Sequence, residues 1–454
     1  MQSQANIALF ERMPVPKAAM KLMLPTIIGS LVTVLYSLAD TFFVGLINDP
    51  IQNAAVALAM PVMLAFNAVN NLFGIGSSSM MSRALGRKDF TAVRQGAAFG
   101  FYCSVGCGII FSLLCLIFFN PLLRLLGATS ETLSATADYM LWTVLWGATP
   151  SILNVVFAYL VRAEGESFHA SIGTMSGCLL NIVLDPIFIL PWGFNMGAAG
   201  AGLATFISNG IACAYFFVLL LVKRGRTFVS INIKDFSIKK ELVREVCGVG
   251  VPASIQNLLN VVGMTLLNNF TAVYGANAVA AMGIAHKIYM VPVQVAMGGS
   301  QGIMPLVSYC YSSRNNARFK AAIRFVQKSM LPAMTVIGVA CWLLSRQLVG
   351  LFIGNPEVIE YGVMFLRADC FAMPFLVADF LVVGVMQAIG SGKTTLFFAV
   401  CRKILLEIPA MIVLNWVFQA AGIAYCAFVA EAAMSLIGAI ALRRVLKEQR
   451  GLSV

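Results

Sequence analysis

Long apolar runs, each closed by a short polar or glycine-containing segment, pattern the chain from end to end. They cover residues 22–47, 54–78, 95–119, 134–160, 168–191, 198–222, 246–272, 277–311, 321–345, 358–386, 395–419 and 422–442. A helix needs about 20 apolar residues to cross the hydrocarbon core of a bilayer, and these runs meet that length. They lack the period-two alternation of a lipid-facing strand. The pattern therefore predicts an all-α polytopic membrane protein with twelve transmembrane helices. The eighth run is long enough to tilt or to extend past the bilayer. Residues 1–21 are mixed and polar and do not read as a cleavable signal peptide.

Basic residues then orient the chain. Arg12, Lys17 and Lys21 precede the first run, and Arg83, Arg87, Lys88 and Arg94 follow the second. Lys223, Arg224, Arg226, Lys234, Lys239, Lys240 and Arg244 crowd the central loop. Arg314, Arg318, Lys320, Arg324 and Lys328 follow the eighth run, and Arg443, Arg444, Lys447 and Arg450 follow the last. Arg162 and Lys393 lie in shorter loops on the same side, whereas only Arg124, Arg346 and Arg367 fall on the other. Excess Lys and Arg mark the cytoplasmic side, which predicts both termini inside and a multi-pass protein of the cytoplasmic (inner) membrane.

The chain also repeats itself. Pro25-Thr26-Ile27 opens the first run and Pro252-Ala253-Ser254 the seventh, and Gly127 recurs as Gly354, both 227 residues on. Asn53-Ala54-Ala55-Val56 returns as Asn277-Ala278-Val279-Ala280, and Ala201-Gly202-Leu203-Ala204 as Ala421-Gly422-Ile423-Ala424. The offset is half the chain, so each half carries six helices entering from the same side. That predicts two pseudo-twofold six-helix bundles about an axis along the membrane normal, as in parallel-repeat transporters. The expected domains are 1–222 (N-terminal lobe), 223–245 (cytoplasmic inter-lobe linker) and 246–454 (C-terminal lobe).

Composition narrows the function classes. Of 454 residues 59% are hydrophobic and 11% charged, against about 25% charged in soluble chains, and mean hydropathy is +0.86. A soluble enzyme, a disordered chain and a fibrous protein are excluded. The net charge of +12 lies where topology requires it, so nucleic acid is not an expected partner. The 11 cysteines are scattered through apolar runs without metal-ligand spacing, and there are 2 histidines. Gly390-Ser391-Gly392-Lys393-Thr394-Thr395 imitates the end of a phosphate-binding loop, but Gln387 stands where that loop needs glycine and a membrane helix precedes it. No nucleophile elbow or HExxH motif is present. Neither an enzyme nor a bound cofactor is expected.

Acids inside apolar runs carry the candidate chemistry, because a carboxylate at a helix centre costs roughly 2.5–3.5 kcal/mol on insertion scales. Asp40 lies in the first run and Asp185 in the fifth. Tyr36 and Asp40 are four residues apart, as are Asn181 and Asp185, so each pair shares a helix face. Each acid then has a neutral oxygen-bearing neighbour rather than a base. Such oxygens suit a proton or a small hard cation, and Pro186 frees a carbonyl nearby. Asp40 projects by the repeat onto Leu267 or Asn268, and Asp185 onto about Ile412, so this arrangement is one-sided. The second half has charges of its own: His286, Lys287, Asp379, Arg402, Lys403, Glu407 and Glu431. Lys403 and Glu407 are expected to pair, and Asp379 is expected to meet Lys287 across the lobe.

These residues carry a resemblance. Pro25, Ala39-Asp40-Thr41-Phe42-Phe43-Val44-Gly45, Ser82-Arg83-Ala84-Leu85-Gly86-Arg87-Lys88-Asp89, Asn181-Ile182-Val183-Leu184-Asp185-Pro186 and Gly200-Ala201-Gly202-Leu203-Ala204-Thr205 occur in order over the two halves. In this the chain resembles the multidrug and toxic compound extrusion (MATE) transporters, near the bacterial DinF-like branch. The resemblance implies a monomeric antiporter that exports cationic or amphipathic compounds in exchange for H+ or Na+ by alternating access. It implies a cation-coupling site of Asp40, Asn181, Asp185 and Thr205 with Tyr36 beside it, Na+ at Asp40, Asn181 and Asp185 being one form. Asn154, Gln256, Asn260, Lys287 and Asp379 are assigned to the substrate cavity. Asn260 stands near the place where some branches carry a helix-7 carboxylate. The alternative of related architecture is a lipid-linked oligosaccharide flippase, for which Lys287, Arg402 and Lys403 would supply a basic cavity.

Overall fold

A computed structural model describes residues 2–47 and 49–451, and among these the regular structure is helical with no strand. In chain order the spans are α1 (Val15–Leu46), α2 (Pro50–Gly86), α3 (Phe90–Ile117), α4 (Leu133–Trp146 and Ala148–Ala163), α5 (Ser167–Ile189), α6 (Gly197–Val222), α7 (Lys240–Ala272), α8 (Ala276–Ser312), α9 (Asn316–Leu343) and α10 (Pro356–Ala388). The last apolar stretch, Gly392–Lys447, breaks at Gln419 (φ 54°, ψ −137°) into α11 (392–418) and α12 (420–447). Twelve spans result among the described residues, as the apolar runs predict.

Local chemistry explains where the helices start, bend and stop. Asp49 caps α2 by accepting from the Ile51 N–H (2.9 Å), with Pro50 in the first turn. Asp89 caps α3 through the Ala92 N–H (3.0 Å) and Asn315 caps α9 through the Arg318 N–H (3.1 Å). Before each of these caps stands a residue of positive φ, Lys88 (60°) and Arg314 (56°), so the repeat is visible in the backbone as well as in the residues. α4 bends by 49° at Gly147, where a Cβ would lie 2.5 Å from the Trp142 carbonyl oxygen. Short π-helical stretches interrupt α2 (Asn70–Ile75), α4 (Leu141–Trp146) and α11 (Cys401–Glu407), a distortion that often marks functional positions.

The chain divides into two compact units. One comprises the chain to Arg12 and Ile28–Ser254, the other Met13–Ile27 and the chain from Ile255. α1 and α7 thus each contribute to both, and the division in each falls two residues after the repeated prolines Pro25 and Pro252. In the first unit Phe73, Met80 and Phe99 pack with Leu242 and Val246 of α7. In the second, hydroxyls of α8 hold carbonyls of α10: Ser300 donates to Phe380 (2.6 Å) and Ser308 to Ala388 (2.9 Å).

The segment 223–239 is docked onto the first unit. The buried Glu164 carboxylate accepts from the Thr227 hydroxyl (2.8 and 2.9 Å) and the Phe228 N–H (2.7 Å). Phe228 stacks on Phe90 at 5.0 Å between centroids, and Tyr102 donates to the Ile231 carbonyl (2.8 Å).

Candidate functional site

Gly173, Gly177, Asn181 and Asp185 follow one another at intervals of four along α5, so they form one stripe. The glycines bring α6 close: a Cβ at Gly173 would collide with the Phe216 ring, and one at Gly177 would lie 3.1 Å from the Ala212 Cβ. Small residues allow this approach in membrane helices. One turn further on, the same stripe places Asn181 against Thr205 of α6. The Asn181 amide is oriented by its neighbours. Its nitrogen donates to both Asp185 oxygens (2.8 and 3.2 Å), and its oxygen accepts the Thr205 N–H (3.1 Å). The Thr205 hydroxyl is 3.3 Å from the same amide.

α1 completes the cluster. The Tyr36 hydroxyl lies beside Thr205, and its electrostatic neighbours are Asp40, Tyr139 and Asp185. Asp40 and Asp185 act on one another and on Tyr139. Asp185 is fully buried and Asn181 is 2% exposed. Among the described residues neither acid forms an ion pair with lysine or arginine. Asp40 is six residues from the end of α1 and Asp185 four from the end of α5, so the cluster lies nearer the side opposite the basic loops.

All five residues of the expected cation-coupling set, Tyr36, Asp40, Asn181, Asp185 and Thr205, come together in the first unit. Two further residues belong to the arrangement and were not singled out in the sequence. Tyr139 of α4 is one. Asn209 is the other: it donates to the Thr205 carbonyl (3.0 Å) and accepts from Asn154 (3.1 Å). Asn154, assigned to the substrate cavity, is thereby linked through α6 to the carboxylate cluster.

The remaining residues assigned to the cavity belong to the second unit. Gln256 and Asn260 are half-buried on α7, and Lys287 is exposed on α8. The expected meeting of Asp379 with Lys287 does not occur. Asp379 pairs instead with Arg402 (3.3 Å), which also bonds Glu431 of α12. The physical reason is exposure: Lys287 stands at the surface of α8, whereas Arg402, in the π-helical stretch Cys401–Glu407, lies beside the buried acids. Lys403 and Glu407 form the expected pair at 2.6 Å. Asp369 of α10, absent from the sequence reading, neighbours Glu407. Asp369, Asp379, Glu407 and Glu431 thus gather around Arg402 and Lys403 in the second unit.

The family model MatE matches the chain twice, over residues 25–187 and 252–413. The two matches begin at the two repeated prolines. Multidrug export protein MepA of Staphylococcus aureus (strain MRSA252) is 32% identical over 428 residues, which is 94% of this chain and 93% of the relative. MepA of Staphylococcus haemolyticus (strain JCSC1435) is 32% identical over 423 residues, 93% of this chain and 92% of the relative. Among solved structures, a MATE in the straight conformation matches with a TM-score of 0.90 at 26% identity, covering 98% of this chain and 99% of that one. A multidrug resistance MATE family transporter of the MOP superfamily, in an outward-facing conformation, matches with the same TM-score and coverage at 25% identity.

Proposed function

The chain belongs to the MatE family, and from that premise we propose that it exports cationic or amphipathic compounds across the cytoplasmic membrane in exchange for H+ or Na+. It is a multi-pass membrane transporter of the multidrug efflux type, not an enzyme. The observation that carries the coupling is the pair of acids, Asp40 and Asp185, held together inside membrane helices with no basic partner among the described residues.

Two carboxylates in one low-dielectric site repel each other, so the doubly charged state is costly. An arriving proton neutralises one of them. A sodium ion would find oxygen ligands in the two carboxylates, Thr205 and Tyr36; the Asn181 amide, whose nitrogen faces Asp185, would have to turn over to join them. Either ion lowers the site's affinity for an organic cation, which leaves, and return of the site to the other face releases the ion. Entry of one charge down the membrane potential supplies roughly 2.3 kcal/mol per 100 mV.

The flippase reading asks for basic groups to hold a pyrophosphate. Arg402 is neutralised by Asp379 and Glu431, and Lys403 by Glu407, which leaves Lys287 as a poor substitute. The acids favour export of cations.

Purified protein in proteoliposomes, given a pH gradient and a sodium gradient separately, tests the proposal. One gradient is expected to drive uptake of a cationic dye. Asp40→Asn and Asp185→Asn are each expected to lower the driven rate at least tenfold. Dye uptake that ignores both gradients, or survives both substitutions, would remove the carboxylates from the mechanism.

A further inference from the structure

Residues 230–240 form a turn that is fixed on one side and bare on the other. α3 fixes it. Phe236 stacks on Phe99 at 6.3 Å and meets Tyr102 edge-on at 5.4 Å, while Tyr102 also holds the Ile231 carbonyl. Inside the turn Asn232 accepts the Lys234 N–H (3.0 Å) and Ser230 holds the Asp235 carboxylate (2.5 Å). The level of these contacts follows from α3 itself. Its last charge is Arg94, and its apolar run begins at residue 95, so Phe99 and Tyr102 stand one to two turns inside the apolar stretch. Phe236 joins the apolar cluster there with Cys103 and Cys107. The turn therefore stands level with the start of the apolar run of α3, on the basic side.

Ile233 and Ile238 are 63% and 72% exposed at this level, outside every membrane span. Lys234, Lys239 and Lys240 are exposed beside them and form no ion pair among the described residues. Some basic groups on this side are matched, Arg83 and Arg87 by Glu245 (3.2 and 3.5 Å) and Lys223 by Glu166 (2.8 Å). In 223–245 seven basic residues face three acidic ones. Exposed isoleucines together with uncompensated lysines are the signature of a segment that lies in a membrane interface.

We propose that residues 230–240 are an interfacial anchor that binds anionic phospholipid headgroups through Lys234, Lys239 and Lys240 while Ile233 and Ile238 enter the acyl boundary. Glu164, Phe90, Phe99 and Tyr102 hold this anchor to the first unit, so bound lipid is coupled to that unit rather than to a loose loop.

The full chain carrying Ile233→Trp, reconstituted in phosphatidylcholine vesicles, provides the test. Acyl-brominated phosphatidylglycerol or acyl-brominated phosphatidylcholine is added, and the extra tryptophan quenching over the parent protein is read. Quenching by both lipids is expected, with phosphatidylglycerol preferred about fivefold per engaged lysine at low salt. High salt is expected to weaken the preference, and Lys234→Gln, Lys239→Gln and Lys240→Gln together to bring it to about one. Ile238→Trp is the second reporter if the first does not fold. Absence of extra quenching would put the turn in water. Equal quenching by the two lipids, or a preference that survives the triple substitution, would remove the lysines. Each result overturns the proposal.

Discussion

Glu164 is a carboxylate outside the membrane spans with almost no access to water, 2% exposed. Burial pushes its pKa from an ordinary 4.5 up to about 7, against the pull of the Phe228 N–H and the Thr227 hydroxyl. The folded value lies above the unfolded one, so the stability linked to this group is whole below pH 4.5. It drains away as pH rises through about 7. Hydrogen exchange at Phe228 and Val229, corrected for intrinsic rate, is expected to lose protection by up to about tenfold per pH unit across that window and to level off above it. Glu164→Gln is expected to flatten the profile. A wild-type profile that is already flat would show that Glu164 does not carry a raised pKa in the folded chain. The same scale explains which site residues were legible in the sequence. Asp40, Asp185 and Asn181 interrupt apolar runs, and their intervals of four name their neighbours. Tyr139 does not stand out, because tyrosine in an apolar run is ordinary core. The partner of Asp379 was hidden for another reason: Arg402 lies in a π-helical stretch of α11, and residue spacing does not reveal helix distortion.

Between helices the controlling feature is the closeness of α5 to α6. The α5 stripe reads Gly173, Gly177, Asn181, Asp185, and the two glycines set the separation at which Asn181 reaches Thr205. Adding one methyl at Gly173 forces the Phe216 ring to move, and overpacking of this kind costs typically 1–3 kcal/mol. Gly173→Ala is therefore expected to lower the melting temperature in detergent and to slow gradient-driven dye uptake. Gly210→Ala on α6 is the control, since a Cβ there meets nothing within 4 Å, and it is expected to change neither. Equal effects of the two substitutions would deny the glycine stripe its role. All twelve spans were legible at this scale, because length and hydropathy alone decide whether a helix crosses. The bend at Gly147 and the break at Gln419 were not, since each turns on backbone geometry at a single residue.

At the scale of the molecule, the order of residues and the packing of residues divide the chain differently. The repeat in sequence suggests a cut through the polar segment 223–245, after six helices. The packing carries the first unit on to Ser254. Leu242 and Val246 fill its apolar cluster against Phe73 and Phe99. Gly250 packs on the Leu72 backbone, and the Ser254 hydroxyl donates to the Ala68 carbonyl (2.6 Å). A fragment ending at residue 239 has all six of its own helices yet leaves that face bare. Two buried side chains of this size are worth roughly 1.5–3 kcal/mol each, a large share of the marginal stability of a domain. Expressed alone, residues 1–239 are expected to aggregate on size exclusion in mild detergent, while residues 1–257 are expected to elute as a single species with a higher melting temperature. Equal behaviour of the two fragments would mean that the start of α7 contributes little to the first unit. The expected difference has a consequence for mechanism. If residues 240–254 are structural members of the first unit, α7 is anchored there at one end and continues into the second unit at the other. In the proposed exchange, movement coupled to loading of Asp40 and Asp185 would then reach the second unit through α1 and α7, the two helices shared between the units, rather than through residues 223–239, which Glu164 holds on the first unit.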